Sequence, residues 1–195
     1  WMRATHQGVP AGHEDNHPVV GVSWEDAQAF CEWLSQKDHM LYRLPSDLEW
    51  SLALGLVEER NLSGRATKDS MAQYFLWAAQ TGNLGDKAFH EKFSGKGTAQ
   101  NVLHNDSFVT TSPVMSFEAN PFGLYDMAGN AAEWCSDWYS DWYNTTEDTI
   151  NPTGPVSGTY KVIRGGSIAS EAGILGFHPC HAKQRSYAHP SGFQG

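Results

Sequence analysis

Apolar residues recur at helical spacing in only two places along this chain. After Pro18-Val19-Val20-Gly21-Val22, which reads as a short strand, Ser23 precedes Trp24-Glu25-Asp26, and Ala27, Phe30, Cys31 and Leu34 follow at i, i+3, i+4 and i+7. The pattern predicts a helix to about residue 36, with Ser23 as N-cap and two carboxylates in the first turn, where they suit the helix dipole. Tyr42-Arg43-Leu44-Pro45 predicts an extended link, because proline disfavours helix in the residue before it. Ser46-Asp47-Leu48-Glu49 has the form of a capping box, and Trp50, Ala53, Leu54 and Val57 line one face of the helix it opens. Tyr160-Lys161-Val162-Ile163-Arg164 alternates with period two and predicts a strand ending at Gly165-Gly166-Ser167. Ser112 to Phe117 is strand-like and is stopped by Asn120-Pro121.

The rest reads mainly as loop. Residues 1–17 have no period and predict an irregular arm, in which His6, His13 and His17 match no metal-ligand spacing and read as solvated. The polar run 58–74 predicts an inserted loop or an extension of the second helix, Thr81 to Asp86 a turn, and 87–111 mostly loop. Asp137 to Tyr143 is aromatic and acidic, a composition for core packing more than for a sugar platform. Residues 144–158 form a Pro/Gly/Thr-rich loop, and 168–191 lose all periodicity, predicting a long surface segment before Gly192-Phe193-Gln194 returns as a last strand.

Composition changes this picture in two ways. A single domain of 195 residues with eight Trp, nine Phe and seven Tyr can build a core from aromatic clusters despite its nineteen Gly and nine Pro. The net charge of -9 and pI near 5.4 argue against nucleic acid or an anionic membrane as partner, and no apolar run is long enough to span a bilayer. No signal-peptide pattern opens the chain. Cys31, Cys135 and Cys180 are odd in number and widely spaced, with no CxxC pair, and Cys31 on the apolar helix face is expected to be buried and inert. Sequons at Asn61, Asn105 and Asn144 are too short a pattern to argue for secretion.

The densest chemistry lies in Phe122-Gly123-Leu124-Tyr125-Asp126-Met127-Ala128-Gly129-Asn130-Ala131-Ala132-Glu133-Trp134. Hard cations such as calcium take six to eight oxygens from carboxylates, amide side chains and backbone carbonyls, and glycine lets carbonyls turn toward an ion. Asp126 and Glu133 can supply charge, and carbonyls near Gly129 and Ala131 can complete a calcium shell. Alternatively the two carboxylates hydrogen-bond turn amides, with Asn130 in a left-handed turn position. Spacing alone leaves both readings open.

Read together, Val22-Ser23-Trp24-Glu25-Asp26-Ala27, Phe30-Cys31-Glu32-Trp33-Leu34, Tyr42-Arg43-Leu44-Pro45-Ser46-Asp47, Phe122-Gly123-Leu124-Tyr125-Asp126-Met127, Gly129-Asn130, Glu133-Trp134, Arg164-Gly165-Gly166-Ser167 and Gly192-Phe193 resemble the successive signatures of the formylglycine-generating enzyme (sulfatase-modifying factor) family. The resemblance covers about residues 18–194, so 18–195 is expected to be the family domain without its N-terminal portion, and 1–17 a preceding arm. It implies an α+β, irregular, loop-rich C-type lectin-like fold. In the family's enzymes a cysteine pair shortly after Arg-Gly-Gly-Ser binds copper, and a thiolate pair is the soft ligand set that monovalent copper selects. Ser170 and Leu175 stand at those two positions here, so copper is not expected. Cys180 resembles a structural cysteine whose partner position, near Leu54, is not a cysteine. A tryptophan of the enzymes is Ala132, and their Arg-rich stretch is Phe177-His178-Pro179-Cys180-His181-Ala182-Lys183. By the same resemblance Asp126, Gly129, Ala131 and Glu133 match one of the family's calcium sites. A second would fall around Asn101 and Val102, where the segment that follows is short and lacks the matching Asp.

Two functions follow. One is a non-catalytic display module, similar to the variable proteins of diversity-generating retroelements, binding a protein or other macromolecule through 168–191 with Ser170, Glu171, Ile174, Phe177, His178, His181, Gln184, Tyr187 and His189 as contacts. The other is an enzyme: either a copper- or other metal-dependent oxidase converting cysteine to formylglycine through another ligand set, or one that uses His178, His181 and His189 for a non-copper metal.

Overall fold

The structure, a computed structural model, describes residues 5–12, 14–54, 82–93, 105–139 and 153–170. Its regular elements are few: a hairpin of β1 (Thr5–His6) and β2 (Val9–Pro10), α1 (Trp24–Asp38), α2 (Asp47–Leu54), α3 (Lys87–Phe93), and the antiparallel pair β3 (Glu133–Trp138) and β4 (Lys161–Arg164). The architecture is α+β and loop-rich. No helix among the described residues is long and apolar enough to cross a membrane.

Both helix starts follow their capping chemistry. Ser23 Oγ accepts from Asp26 N at 3.1 Å while Asp26 Oδ2 accepts from Ser23 N at 3.0 Å, and Ser46 and Glu49 exchange the same two bonds at 3.1 and 2.8 Å. Yet α1 has no buried residue: Phe30 and Trp33 are 58% and 52% exposed, and Cys31 is only half-buried, against the expected buried thiol. The helix is fastened by its ends instead. Trp24 Nε1 donates to the Cys135 carbonyl at 3.0 Å, and Ser35 Oγ accepts from Tyr42 N at 2.8 Å.

The core gathers α2 and the sheet. Leu48, Trp50, Leu54, Met127, Ala128, Cys135 and Val162 form one cluster. All four residues of β4 are buried, not alternate ones as its period suggested, because α2 packs against the strand pair. Arg164 lies inside this cluster with its side chain 2% exposed: Nε is 3.0 Å from Asp47 Oδ1 in an ionic contact without an aligned hydrogen bond, Nη2 donates to Ser51 Oγ at 2.7 Å, and the guanidinium lies 4.6 Å over the Trp50 ring. Asp137, also buried, accepts from Asp47 N at 3.0 Å at the head of α2, where negative charge is favoured by the helix dipole.

Several expectations are corrected. Residues 18–22 and 112–117 form no strand, the latter turning at Val114 and Met115. The supposed arm holds a hairpin whose turn residues, Gln7 and Gly8, take φ of 46° and 81°, as a two-residue hairpin turn requires. His6 packs on Phe89 and Phe93, and His17 Nδ1 bonds Thr111 Oγ1 at 3.0 Å, so neither is merely solvated; His13 lies outside the described residues. Within the expected loop 87–111, α3 forms because Asp86 Oδ1 caps it, accepting from Phe89 N at 3.1 Å, while Phe89 and Phe93 stack at 4.9 Å. Val57, residues 58–74 and residues 140–152 lie outside the described residues.

Two outcomes follow from these charges. Arg164→Met strands Asp47, and urea denaturation is expected to show a loss of about 3–5 kcal/mol in unfolding free energy, regained in large part by adding Asp47→Leu. For Glu49, the bond from Arg43 and then the Ser46 amide hold the carboxyl down at about 2. A folded value below the ordinary 4.5 means that its stabilisation is whole above that pH and is lost as pH falls toward 2. Glu49 is 45% exposed, so screening keeps the effect small. Thermal melts of Glu49→Gln across this window are expected to fall less steeply with acid than those of the wild type.

Candidate functional site

Asp126 and Glu133 flank a backbone that turns sharply between them. Asp126, Gly129 and Asn130 have φ of 56°, 73° and 61°, all left-handed, a region in which Asp, Asn and Gly are tolerated. At Gly129 space also decides, since a Cβ would sit 2.0 Å from the Asn83 carbonyl oxygen. The turn delivers Glu133 to the first position of β3, a strand rather than the expected loop, with its Oε2 accepting from Trp50 Nε1 at 2.5 Å. Part of Glu133 remains at the surface, but its carboxyl faces inward. Burial pushes that carboxyl's pKa up, the Trp50 N–H draws it down, and the charge of Asp126 raises it again.

Asp126 uses one oxygen structurally and leaves the other idle. Oδ2 accepts from Met115 N at 2.9 Å, which realises the turn-amide role; Oδ1 is buried with no hydrogen-bond partner. A buried carboxylate oxygen without a donor is costly unless a cation or water meets it. No three His, Cys, Asp or Glu side chains gather at one point among the described residues, so any ion here depends on carbonyl oxygens as well. Two mutually repelling carboxylates, one idle oxygen and a glycine-bent backbone are compatible with a hard cation, which Asp126 and Glu133 would hold together with carbonyls at Gly129 and Ala131 and which would supply the charge that offsets both acids.

A neighbouring polar group escaped sequence reasoning. Asn83 is buried; its Nδ2 donates to the Thr110 carbonyl at 2.9 Å and to Asn130 Oδ1 at 3.3 Å, and its Oδ1 has no partner. Nearby, Asp86 Oδ2 accepts from Asp106 N at 2.6 Å, and the Asp106 carboxyl is pushed up to about 7, first by burial and then by the charge of Asp86. The signal was present in Asn83-Leu84-Gly85-Asp86, which reads as an ordinary turn until the fold lays it against Asp106. Asn101 and Val102 lie outside the described residues.

Of the expected binding contacts, the structure describes Ser170 alone. Its Oγ accepts from Ser167 N at 2.9 Å and its carbonyl accepts from Gly85 N at 2.9 Å, so this residue anchors a turn. Glu171, Ile174, Phe177, His178, His181, Gln184, Tyr187 and His189 lie outside the described residues, as do Leu175 and Cys180. Cys135 is fully buried, and burial drives its thiol pKa upward, so it offers no thiolate.

Comparison with known proteins gives this geometry a lineage. Residues 1–194 match the sulfatase-modifying factor enzyme 1-like domain. The formylglycine-generating enzyme of Streptomyces coelicolor is 36% identical over 174 residues, covering 85% of this chain and 48% of the enzyme. That of Mus musculus is 33% identical over 175 residues, covering 89% and 41%. The chain therefore spans less than half the length of either enzyme. Among solved structures, Treponema denticola variable protein 1 superposes with a TM-score of 0.53 at 26% identity, covering 87% of this chain and 67% of that one. Fold, ordered motifs and matched length agree, and the chain belongs to the sulfatase-modifying factor enzyme 1-like (FGE-sulfatase) domain family.

Proposed function

We propose that this domain is a non-catalytic ligand-binding module that displays its C-terminal segment, residues 168–191, to a protein or other macromolecule, on a frame braced by calcium. What carries the reading is that Ser170 and Leu175 follow Arg164-Gly165-Gly166-Ser167 where, by the family resemblance, the copper-binding cysteines would fall. A hydroxyl and an isobutyl group cannot replace two thiolates as ligands of monovalent copper. The Ser170 hydroxyl is moreover engaged in its own turn. Similarity to a Treponema protein named as variable supports display, and the further step, to a variable protein of a diversity-generating retroelement, is part of this proposal. A rigid scaffold carrying an irregular segment is a general solution for binding.

The oxidase reading draws on the identity to formylglycine-generating enzymes of Streptomyces coelicolor and Mus musculus. It requires a ligand set other than the cysteine pair, or a non-copper metal held by His178, His181 and His189.

One experiment separates the two. With cuprous ion, oxygen and a cysteine-containing peptide, the domain is expected to consume no oxygen and to form no formylglycine by mass spectrometry; turnover sinks the display reading. Alanine at Phe177, His178 and Tyr187 is expected to change unfolding free energy by only about 0.5 kcal/mol each, as for displayed side chains, whereas losses of several kcal/mol place them in a core.

For the brace, calorimetric titration with calcium is expected to show one binding event lost in both Asp126→Asn and Glu133→Gln. Chelation is expected to lower the melting temperature of the wild type and leave both variants unmoved.

A further inference from the structure

The candidate calcium loop and the root of the C-terminal segment share one backbone step. Gly129 N donates to the Gly165 carbonyl at 2.8 Å, and the Asn130 carbonyl accepts from Ile168 N at 3.4 Å. Asn130 N in turn donates to the Asn83 carbonyl at 2.6 Å, two residues before Gly85, whose N–H holds the Ser170 carbonyl. The Asn130 side chain then locks the step. Its Oδ1 accepts from Ser112 N at 2.9 Å and its Nδ2 donates to the Ser112 carbonyl at 3.2 Å, both bonds buried. Asn130 sits between the two carboxylates in sequence and between the loop and the 165–170 turn in space.

We propose that the Gly129–Asn130 step couples cation binding at Asp126 and Glu133 to the order of the 165–170 turn. The inference rests on the calcium reading above. An ion that fixes the carbonyls of this loop also fixes the N–H of Gly129 and the carbonyl of Asn130, and these are the groups the turn hangs from. Linkage is reciprocal: whatever stabilises the turn tightens calcium binding by the same factor.

Amide hydrogen exchange on the 195-residue chain, followed by NMR with saturating calcium and with a chelator, tests it. The Gly129, Ile168 and Ser170 amides are expected to slow about tenfold with calcium, while the Ser136 amide, held by the Pro45 carbonyl at 2.8 Å, changes by less than about twofold. Asn130→Gly keeps a left-handed backbone but deletes the lock on Ser112; it is expected to bind calcium and to lose the slowing at Ile168 and Ser170. Calcium binding by calorimetry without slowing at these amides overturns the coupling alone, and so does equal slowing at Ser136, which marks uniform stabilisation. Failure to bind calcium overturns the calcium reading and this inference together. The wild-type comparison decides the matter even if Asn130→Gly does not fold.

Discussion

Gly129 passes so close to the Asn83 carbonyl that no side chain fits between them, and the parallel bridge formed there ties together stretches that lie far apart in sequence. Because the approach fixes the backbone on both sides, it fixes where Asp126 and Glu133 face each other and where Asn130 can reach Ser112. Among the described residues, where regular structure is sparse, such a crossing takes the place of an extended sheet ladder. The turn at 165–170 borrows its position from the same crossing.

A second constraint is the burial of charge. Arg164, Asp47 and Asp137 lie within a small apolar cluster, and each is placed by groups from another element: Asp47 and Ser51 from α2, Trp50 above the guanidinium, the Asp47 amide below Asp137. Removing two charges from water gives little net stability, but a charge left without its partner is heavily penalised. Such a network therefore selects one arrangement of α2 against the sheet more than it deepens the native well. The same logic, with an ion in place of a guanidinium, would apply to the Asp126 and Glu133 pair under the calcium reading proposed above.

What could be read from the sequence was chiefly local. Ser23 with Asp26 and Ser46 with Glu49 gave both helix starts, because a capping box is a contact within four residues. The family motifs pointed to the fold, and the left-handed Asn130 was one of the readings that the loop's composition left open. What was missed depends on contacts distant in sequence. The capped start of α3 at Asp86 was hidden in a polar run, the burial of all of β4 needed α2 to cover it, and β3 was masked by a composition that also suits a loop. The exposed face of Phe30 is the reverse case: helical periodicity reports an apolar stripe and says nothing of what lies against it. Among the candidate site residues, Asp126 and Glu133 were legible, whereas Asn83 acquires its meaning only when the chain brings it back beside Asn130.

Lys161 lies between the rings of Trp24 and Trp138, 3.9 Å from each centroid, with its Nζ donating to the Ser136 carbonyl at 2.8 Å. Two indole faces this close make a slot the width of a single ammonium, lined by negative quadrupoles. Substitution at this position is therefore limited by charge and by geometry together: an aliphatic chain would bring no cation to the two faces, and a guanidinium would enter by stacking parallel to them. A carboxylate there would be repelled by both faces and by the carbonyl beneath.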